Sequence, residues 1–163
     1  MSQRDGVESD EKRIWAEIST SSGEESAKAN VRGVHELELD EPPWVPIGND
    51  TAPCPVDYLI VAAAGCQLEV LKQCFEKARI EEYEIRIVAE RKRTHAEQAP
   101  EPFPEHTSLR IPELTLDLTV ETTPEFEPRV KRCVEVCEDA CIVSRSLEAG
   151  ITTSLSKTLT VSN

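Results

Sequence analysis

The sequence predicts an α+β domain, in which strands and helices occupy separate stretches of the chain. Three features carry this prediction: three short segments with strand-like alternation near the N-terminus, a long helical segment from Pro55, and a later pair of strands followed by two helices. A chain of 163 residues suits a single core. We expect one domain over residues 13–163, behind a flexible N-terminus at residues 1–12.

Alternating apolar and polar side chains mark the predicted strands. The alternation is strictest in Leu114–Val120. The other predicted strands are Arg13–Thr20, Ala27–Gly33, Val34–Leu39, Tyr83–Arg91 and Ile151–Val161. A stretch rich in Pro and Glu, at about residues 94–108, predicts a mobile loop.

The long helix is predicted from Pro55 to about Ala78. Proline suits the first helical turn because its missing N–H would be unpaired there, and Asp57 adds a favourable negative charge. Apolar or small residues then recur at steps of three and four, namely Leu59, Ala62, Ala63, Cys66, Val70 and Cys74. Because Tyr58–Gly65 carries no charge, we expect this first half to be buried and the second half to emerge into solvent.

Two further helices are predicted after the last central strand. An amphipathic pattern extends from Phe126 to Cys137. A shorter helical segment, Ile142–Leu147, is expected to end at Gly150, since glycine commonly terminates helices.

Composition excludes several classes of partner. The formal charge is −13, from 31 acidic and 18 basic side chains, and this repels nucleic acids and anionic membranes. The longest apolar run, Leu59–Cys66, is too short to cross a bilayer, and the N-terminus lacks a signal-peptide pattern. We therefore expect a cytoplasmic protein whose six cysteines are reduced, without a structural disulfide framework.

The cysteines are the strongest candidates for chemistry. From the pattern alone, Cys66 is either an inert buried thiol, which the small neighbouring residues favour, or a nucleophile shielded from water. Cys133, Cys137 and Cys141 are four residues apart and could ligate zinc, although buried apolar packing is the better interpretation. Arg32 alone suggests an ordinary surface charge. No phosphate loop or other cofactor motif is present in the sequence.

Five segments together resemble the OsmC/Ohr family, over residues 27–163. They are Val31–Gly33, Asp40–Pro42, Gly48–Leu59, Ala63–Cys66 and Cys141–Leu147. The resemblance implies two small antiparallel sheets around a long, nearly buried central helix. It also implies an intertwined homodimer with its sites at the subunit interface.

The family resemblance further implies a thiol-dependent peroxidase of the stress response, which reduces organic hydroperoxides without a metal or cofactor. Cys66 matches the peroxidatic position and Cys141 the resolving position, and an external dithiol would reduce their disulfide. Val56 stands where the hydroperoxide-resistance branch carries an activating Glu, so Asp57 and Arg32 are the nearest supporting candidates. The chain is closer to the OsmC-like branch. The alternative is a non-enzymatic stress protein of this fold, which binds a small apolar ligand at the dimer interface.

Overall fold

The computed structural model describes residues 15–91, 94–95, 109–111 and 113–150. The chain divides into two compact units, Met1–Tyr58 and Leu59–Asn163. The predicted flexible N-terminus and the closing strand Ile151–Val161 lie outside the described residues, and the single domain stays a prediction.

The N-terminal unit contains a three-stranded antiparallel sheet. Its strands are β1 (Ala16–Ser19), β2 (Ala27–Val31) and β3 (His35–Leu39), in the order β1-β2-β3. The β2–β3 turn passes through Arg32 and Gly33, which both have positive φ, 57° and 70°. This confirms the three early strands: β1 ends one residue before its predicted end, β2 ends two residues early, and β3 starts one residue late.

Asp40 organises the loop that follows this sheet. The side chain is buried and accepts hydrogen bonds from the backbone N–H groups of Glu41, Asn49 and Thr51 and from the Thr51 hydroxyl. The hydrogen bonds from Thr51 are the main cause of a lowered Asp40 pKa. One carboxylate therefore satisfies several donors in a segment that has no regular secondary structure.

The long helix, α1, spans Pro55–Lys77 and matches its predicted bounds closely. At its start, the Asp57 carboxylate accepts a 3.0 Å hydrogen bond from the backbone N–H of Cys54. This is the backward contact of a capping box, which stabilises a helix N-terminus. Asp57 thus has a structural role that explains why an acidic residue stands here.

The C-terminal unit places two strands beside two helices. The strands β4 (Tyr83–Arg91) and β7 (Leu114–Thr122) pair antiparallel along their whole length. A short antiparallel ladder joins β5 (Thr94–His95) and β6 (Leu109–Arg110). The predicted loop at residues 94–108 therefore begins in a strand pair, and the rest of it is outside the described residues.

Two helices complete this unit. They are α2 (Glu127–Ala140) and α3 (Ile142–Ala149), and α3 ends at Gly150 with φ 69°, as predicted. The described residues thus form an α+β fold with two small antiparallel sheets, β1-β2-β3 and β4-β7, and the short β5-β6 pair, which confirms the predicted class.

The core of this unit lies between the second half of α1, the helix α2 and one face of the β4–β7 pair. Buried side chains on α1 recur at every fourth residue, which places them on one helix face. The cluster consists of Leu71, Phe75, Ile80, Phe126, Val130, Cys133 and Cys137. On β7, alternate residues from Leu114 to Thr122 are half-buried and those between them are exposed, which confirms the strict alternation of the sequence.

The predicted burial of Tyr58–Gly65 is wrong for the single chain. Val61 is 64% exposed and Leu59 is 37% exposed, whereas Leu71 and Phe75 are fully buried. The sequence misled here because a segment that is apolar on every side does not indicate which side has a packing partner. No helix within the described ranges is long and apolar enough to span a membrane.

The expectation of reduced cysteines is wrong for one pair. Cys74 on α1 and Cys133 on α2 form a disulfide, with their Cα atoms 5.8 Å apart. The sulfurs lie within or beside the core cluster, so the bond connects the two helices where they pack together. The prediction of reduced cysteines was based on the expected cytoplasmic location. That argument could not reveal this disulfide, because the disulfide depends on the packing of distant segments.

Candidate active site

Cys66 and Cys141 come together at the N-terminus of α3. Cys66 lies in the middle of α1 and is half-buried, whereas Cys141 is the N-cap of α3 and is fully buried. The two thiols share a side-chain hydrogen bond, which contributes to the pKa shift of each. Two cysteines that are 75 positions apart in the sequence thus form one pair.

Backbone donors of α3 surround the thiol pair. The backbone N–H of Ser144 donates to the Cys141 sulfur at 3.4 Å. The backbone N–H groups of Ile142 and Val143 act on the Cys66 sulfur as hydrogen-bond donors. The first turn of a helix carries unpaired N–H groups and the positive end of the helix dipole, so it stabilises a negatively charged sulfur.

The two thiols have pKa shifts of opposite sign. Burial raises the pKa of Cys66, and the hydrogen bond with Cys141 raises it further, against the effect of the Val143 and Ile142 N–H groups. Burial also acts to raise the pKa of Cys141, but hydrogen bonds from Cys66, Ser144 and Val143 outweigh it and lower the pKa. The hydrogen bond between the thiols therefore favours a single negative charge on the pair, in which the remaining S–H donates to the other sulfur.

A polar contact extends from this pair along α1. Gln67 Nε2 donates a 3.1 Å hydrogen bond to Ser144 Oγ. The Ser144 side chain in turn hydrogen-bonds the Cys141 sulfur and lowers the pKa of that thiol. Gln67, Ser144 and Cys141 thus form a continuous chain of hydrogen bonds.

A cavity of about 670 Å³ borders these hydrogen-bonded residues. Its walls are mainly aliphatic, with Ile87, Leu116 and Leu118 from the sheet and Leu147 from α3. Gln67 and Ser144 also line it, whereas neither Cys66 nor Cys141 does. The cavity and the thiol pair therefore meet at Gln67 and Ser144.

A model of the OsmC-like protein family matches residues 48–156, which is more than half of the chain. The chain belongs to the OsmC-like family. The match includes both thiols of the pair, although it begins later than the resemblance seen from residue 27.

Solved structures of OsmC-like proteins share the fold of this chain. An OsmC-like protein of unknown function from Vibrio cholerae has 14% identity and a TM-score of 0.59, over 83% of this chain and 94% of that chain. An organic hydroperoxide resistance protein OsmC from Legionella pneumophila has 15% identity and a TM-score of 0.58, over 83% and 88% of the two chains.

The organic hydroperoxide resistance protein OhrB of Bacillus subtilis also matches, at 15% identity and a TM-score of 0.50, over 82% of this chain and 89% of that chain. A comparison with curated protein sequences found no significant match.

Asp57 and Arg32 are the residues predicted to help activate Cys66 in this OsmC-like protein. Both lie in the N-terminal unit. The Asp57 carboxylate caps the start of α1, where it accepts the hydrogen bond from the Cys54 N–H. Arg32 is exposed in the β2–β3 turn, where its φ is 57°. A role for either residue in activating Cys66 stays a prediction.

The zinc alternative for Cys133, Cys137 and Cys141 is wrong. Cys133 is bonded to Cys74 and Cys141 contacts Cys66, so the three sulfurs are not available to one ion. Cys137 is buried in the core cluster instead, which agrees with the apolar interpretation. No group of three metal-binding side chains occurs in the part of the chain that the structure describes.

Sequence reasoning missed Gln67 and Ser144. Ser144 follows Cys141 by three residues, which is the spacing of a helix N-cap and the N–H that it accepts from. Because α3 was predicted to start at Ile142, this spacing could have placed the N–H donors of α3 at Cys141. Gln67 carried a weaker signal, as the first strongly polar side chain after the apolar half of α1.

Proposed function

We propose that this protein is a thiol-dependent peroxidase that reduces organic hydroperoxides with Cys66 and Cys141. The observation that carries the proposal is the hydrogen-bonded thiol pair at the N-terminus of α3. The Legionella and Bacillus proteins of the same fold are both described as organic hydroperoxide resistance proteins, which supports a role in peroxide stress.

Cys66 is the thiol that meets the peroxide in this proposal. It is half-buried, whereas Cys141 is fully buried, so a reactant reaches the Cys66 sulfur more easily. Thiolate is the reactive form, and the two coupled thiols share a single negative charge. Transfer of the Cys66 proton to Cys141 produces the Cys66 thiolate, and the N–H groups of Ile142 and Val143 stabilise it.

The reaction then proceeds in three steps. The Cys66 thiolate attacks the terminal peroxide oxygen, which breaks the O–O bond and gives a sulfenic acid and an alkoxide. The alkoxide takes the Cys141 proton and leaves as an alcohol. The Cys141 thiolate displaces hydroxide from the sulfenic acid, hydroxide takes a proton to become water, and a Cys66–Cys141 disulfide remains.

An external dithiol completes the cycle by thiol–disulfide exchange. The cytoplasm supplies such dithiols, and we place the protein there. The aliphatic cavity beside Gln67 and Ser144 accepts the hydrocarbon part of the substrate.

A homodimer is part of the proposal. Val61 on α1 is 64% exposed and Ile142 on α3 is 78% exposed, and both lie near the thiol pair along their helices. Apolar residues exposed on neighbouring elements are typical of a surface covered by another subunit. A second copy that covers the first half of α1 gives this helix the buried central position expected from the family. Light scattering after gel filtration tests this directly, and a monomeric mass contradicts it.

Turnover of cumene hydroperoxide with dithiothreitol tests the enzymatic proposal. Wild-type protein should consume the peroxide catalytically, and Cys66→Ser should abolish turnover because the nucleophile is lost. Cys141→Ser should stop the cycle after one equivalent, or divert Cys66 to overoxidation. Cys54→Ser is the matched control, since Cys54 is also buried but lies in the other unit. Equal activity in Cys66→Ser and Cys54→Ser contradicts the proposal.

A non-enzymatic binding protein is the second candidate function. The observation that favours it is the cavity, whose lining excludes both thiols. In that case a small apolar ligand binds, and the redox state of Cys66 and Cys141 does not change. Saturable binding of an aliphatic ligand, together with no peroxide consumption with any dithiol, distinguishes this function from the peroxidase.

A further inference from the structure

Two pairs of cysteines join α1 to α2 and to the residue that directly follows it. On α1, Cys66 precedes Cys74 by eight residues. Cys74 is bonded to Cys133 on α2. Cys141 lies eight residues after Cys133, directly behind the last residue of α2, and is hydrogen-bonded to Cys66. The two helices are therefore antiparallel, and the two pairs lie about 12 Å apart along them, since a helix rises 1.5 Å per residue.

A third contact follows the same alignment of the two helices. Arg129 lies four residues before Cys133, and Ala78 lies four residues after Cys74. Arg129 Nη1 donates a 2.9 Å hydrogen bond to the backbone oxygen of Ala78. Movement of α2 along α1 would therefore disturb all three contacts together.

The packed core lies at the disulfide end of these helices. On α1, the core cluster begins at Leu71. The α1 residues that line the cavity all precede it, namely Leu59, Ile60 and Gln67. The thiol end of α1 thus borders open space, and a cavity wall has no packing partner on its open side. The alignment at the thiols therefore depends on what holds the helices together at the core end.

We propose that the Cys74–Cys133 disulfide is a positioning element, which fixes the alignment of α1 with α2 and thereby holds Cys141 against Cys66. Packed helices slide past one another by about 1–2 Å in conformational changes, and a covalent bond between them opposes this movement. The Cys74–Cys133 bond stays oxidised and takes no part in electron transfer.

The consequence for catalysis rests on the proposed function. Cys141 resolves the Cys66 sulfenic acid only when the two sulfurs meet, and a disulfide forms only within a narrow range of Cβ separations. A misplacement of about 1 Å can slow a reaction between positioned groups by about 100-fold. The Cys74–Cys133 bond should therefore act on the resolving step.

A hydrogen bond also joins α1 to α3 at the thiol end. Gln67 Nε2 donates to Ser144 Oγ at 3.1 Å. This is one neutral contact between two rotatable side chains, whereas the disulfide is covalent and lies beside the packed core. The disulfide is therefore the stronger constraint on the alignment of the helices.

Equilibrium with glutathione tests the proposal without a peroxide. The Cys66 and Cys141 thiols react with one oxidised glutathione to give the protein disulfide and two reduced glutathiones. The equilibrium constant gives the effective concentration of the two thiols, and alkylation followed by peptide mapping measures it. The variant Cys74→Ala/Cys133→Val removes the bond and keeps apolar side chains in the core. Its effective concentration should be about ten- to a hundredfold lower than that of wild-type protein.

Val130→Ala is the matched control. Val130 is a buried member of the same core cluster and lies on α2, three residues before Cys133. This substitution weakens the packing of the core but keeps the disulfide, so the effective concentration of Cys66 and Cys141 should match that of wild-type protein. An unchanged value in the variant without the bond overturns the proposal. An equal fall in both variants also overturns it, because the effect then comes from core packing.

Cys74→Ala alone gives a second way to remove the bond. Cys74 is half-buried, so this is the milder substitution, and it leaves the Cys133 side chain in the core. It should lower the effective concentration of Cys66 and Cys141 to the same extent, and it decides the question if the double variant does not fold. A value equal to that of wild-type protein overturns the proposal.

Peroxide assays of the same variants separate this inference from the proposed function. Loss of the Cys74–Cys133 bond should slow resolution, so a dione that traps sulfenic acids should capture a larger share of Cys66 than in wild-type protein. If the effective concentration falls as expected but cumene hydroperoxide is never consumed, the peroxidase proposal fails and the inference stands. If peroxide is consumed but the effective concentration is the same with and without the bond, the reverse holds.

Discussion

The Cys74–Cys133 disulfide should supply a large part of the stability of the C-terminal unit. The bond closes a loop with a sequence separation of 59. The chain-entropy relation gives about 14 cal/mol/K for a loop of roughly 60 residues, which is about 4 kcal/mol at 25 °C. For a domain of this size each kcal/mol corresponds to roughly 2–4 °C in Tm, so reduction should lower the Tm by roughly 8–16 °C.

The experiment is best made in a Cys66→Ser/Cys141→Ser background, in which the proposed catalytic pair cannot form a disulfide. Thermal unfolding is followed by circular dichroism, before and after full reduction with a phosphine. Peptide mapping of the untreated protein should find Cys74 linked to Cys133. A Tm that is unchanged by reduction would refute the reasoning, as would the recovery of both cysteines as free thiols in the untreated protein.

Two further predictions concern single side chains. Ser144→Ala removes a hydrogen bond that lowers the pKa of Cys141, so thiolate absorbance should appear at higher pH. Ser146→Ala, on the same helix, is the control and should leave the thiol titration unchanged. Asp40→Asn should lower the urea midpoint at pH 7, because the folded-state pKa of Asp40 is lowered. Its stabilising effect is complete above the unfolded pKa of about 4 and is lost as the pH falls through the lower folded value, so the two proteins should converge in acid. A difference in midpoint that persists unchanged at pH 2 contradicts this reasoning.

Elements with a regular pattern could be predicted closely from the sequence. The alternation from Leu114 onward and the Pro55 start of α1 each depend on local chemistry, and both are found in the structure. The end of α3 at Gly150 follows for the same reason, since a glycine accepts the positive φ there. Local signals of this kind require no knowledge of the distant packing partners.

Features that depend on packing between distant segments could not be predicted in the same way. Val61, in the uncharged first half of α1, is exposed in the single chain. The local sequence could not predict this, because it does not indicate which face of the helix is covered. The Cys74–Cys133 bond depends on the packing of α1 against α2.

In the candidate site, the thiol pair could be predicted from the sequence, whereas the groups that tune its pKa values could not. The family resemblance paired Cys66 with Cys141, whereas the groups that tune them were sought in Arg32 and Asp57. The structure places backbone donors of α3 and the Ser144 side chain at the thiols. A helix N-terminus can stabilise a thiolate without any charged side chain, so a search for charged residues overlooks it.

The central claim is that Cys66 and Cys141 act as one redox pair, and peptide mapping after a single equivalent of cumene hydroperoxide tests it most directly. The reduced protein is treated anaerobically, alkylated and digested, and the released alcohol is measured in the same sample. The account predicts a Cys66–Cys141 disulfide and one equivalent of cumyl alcohol per chain. Recovery of both residues as alkylated thiols, with the peroxide unconsumed, would contradict it.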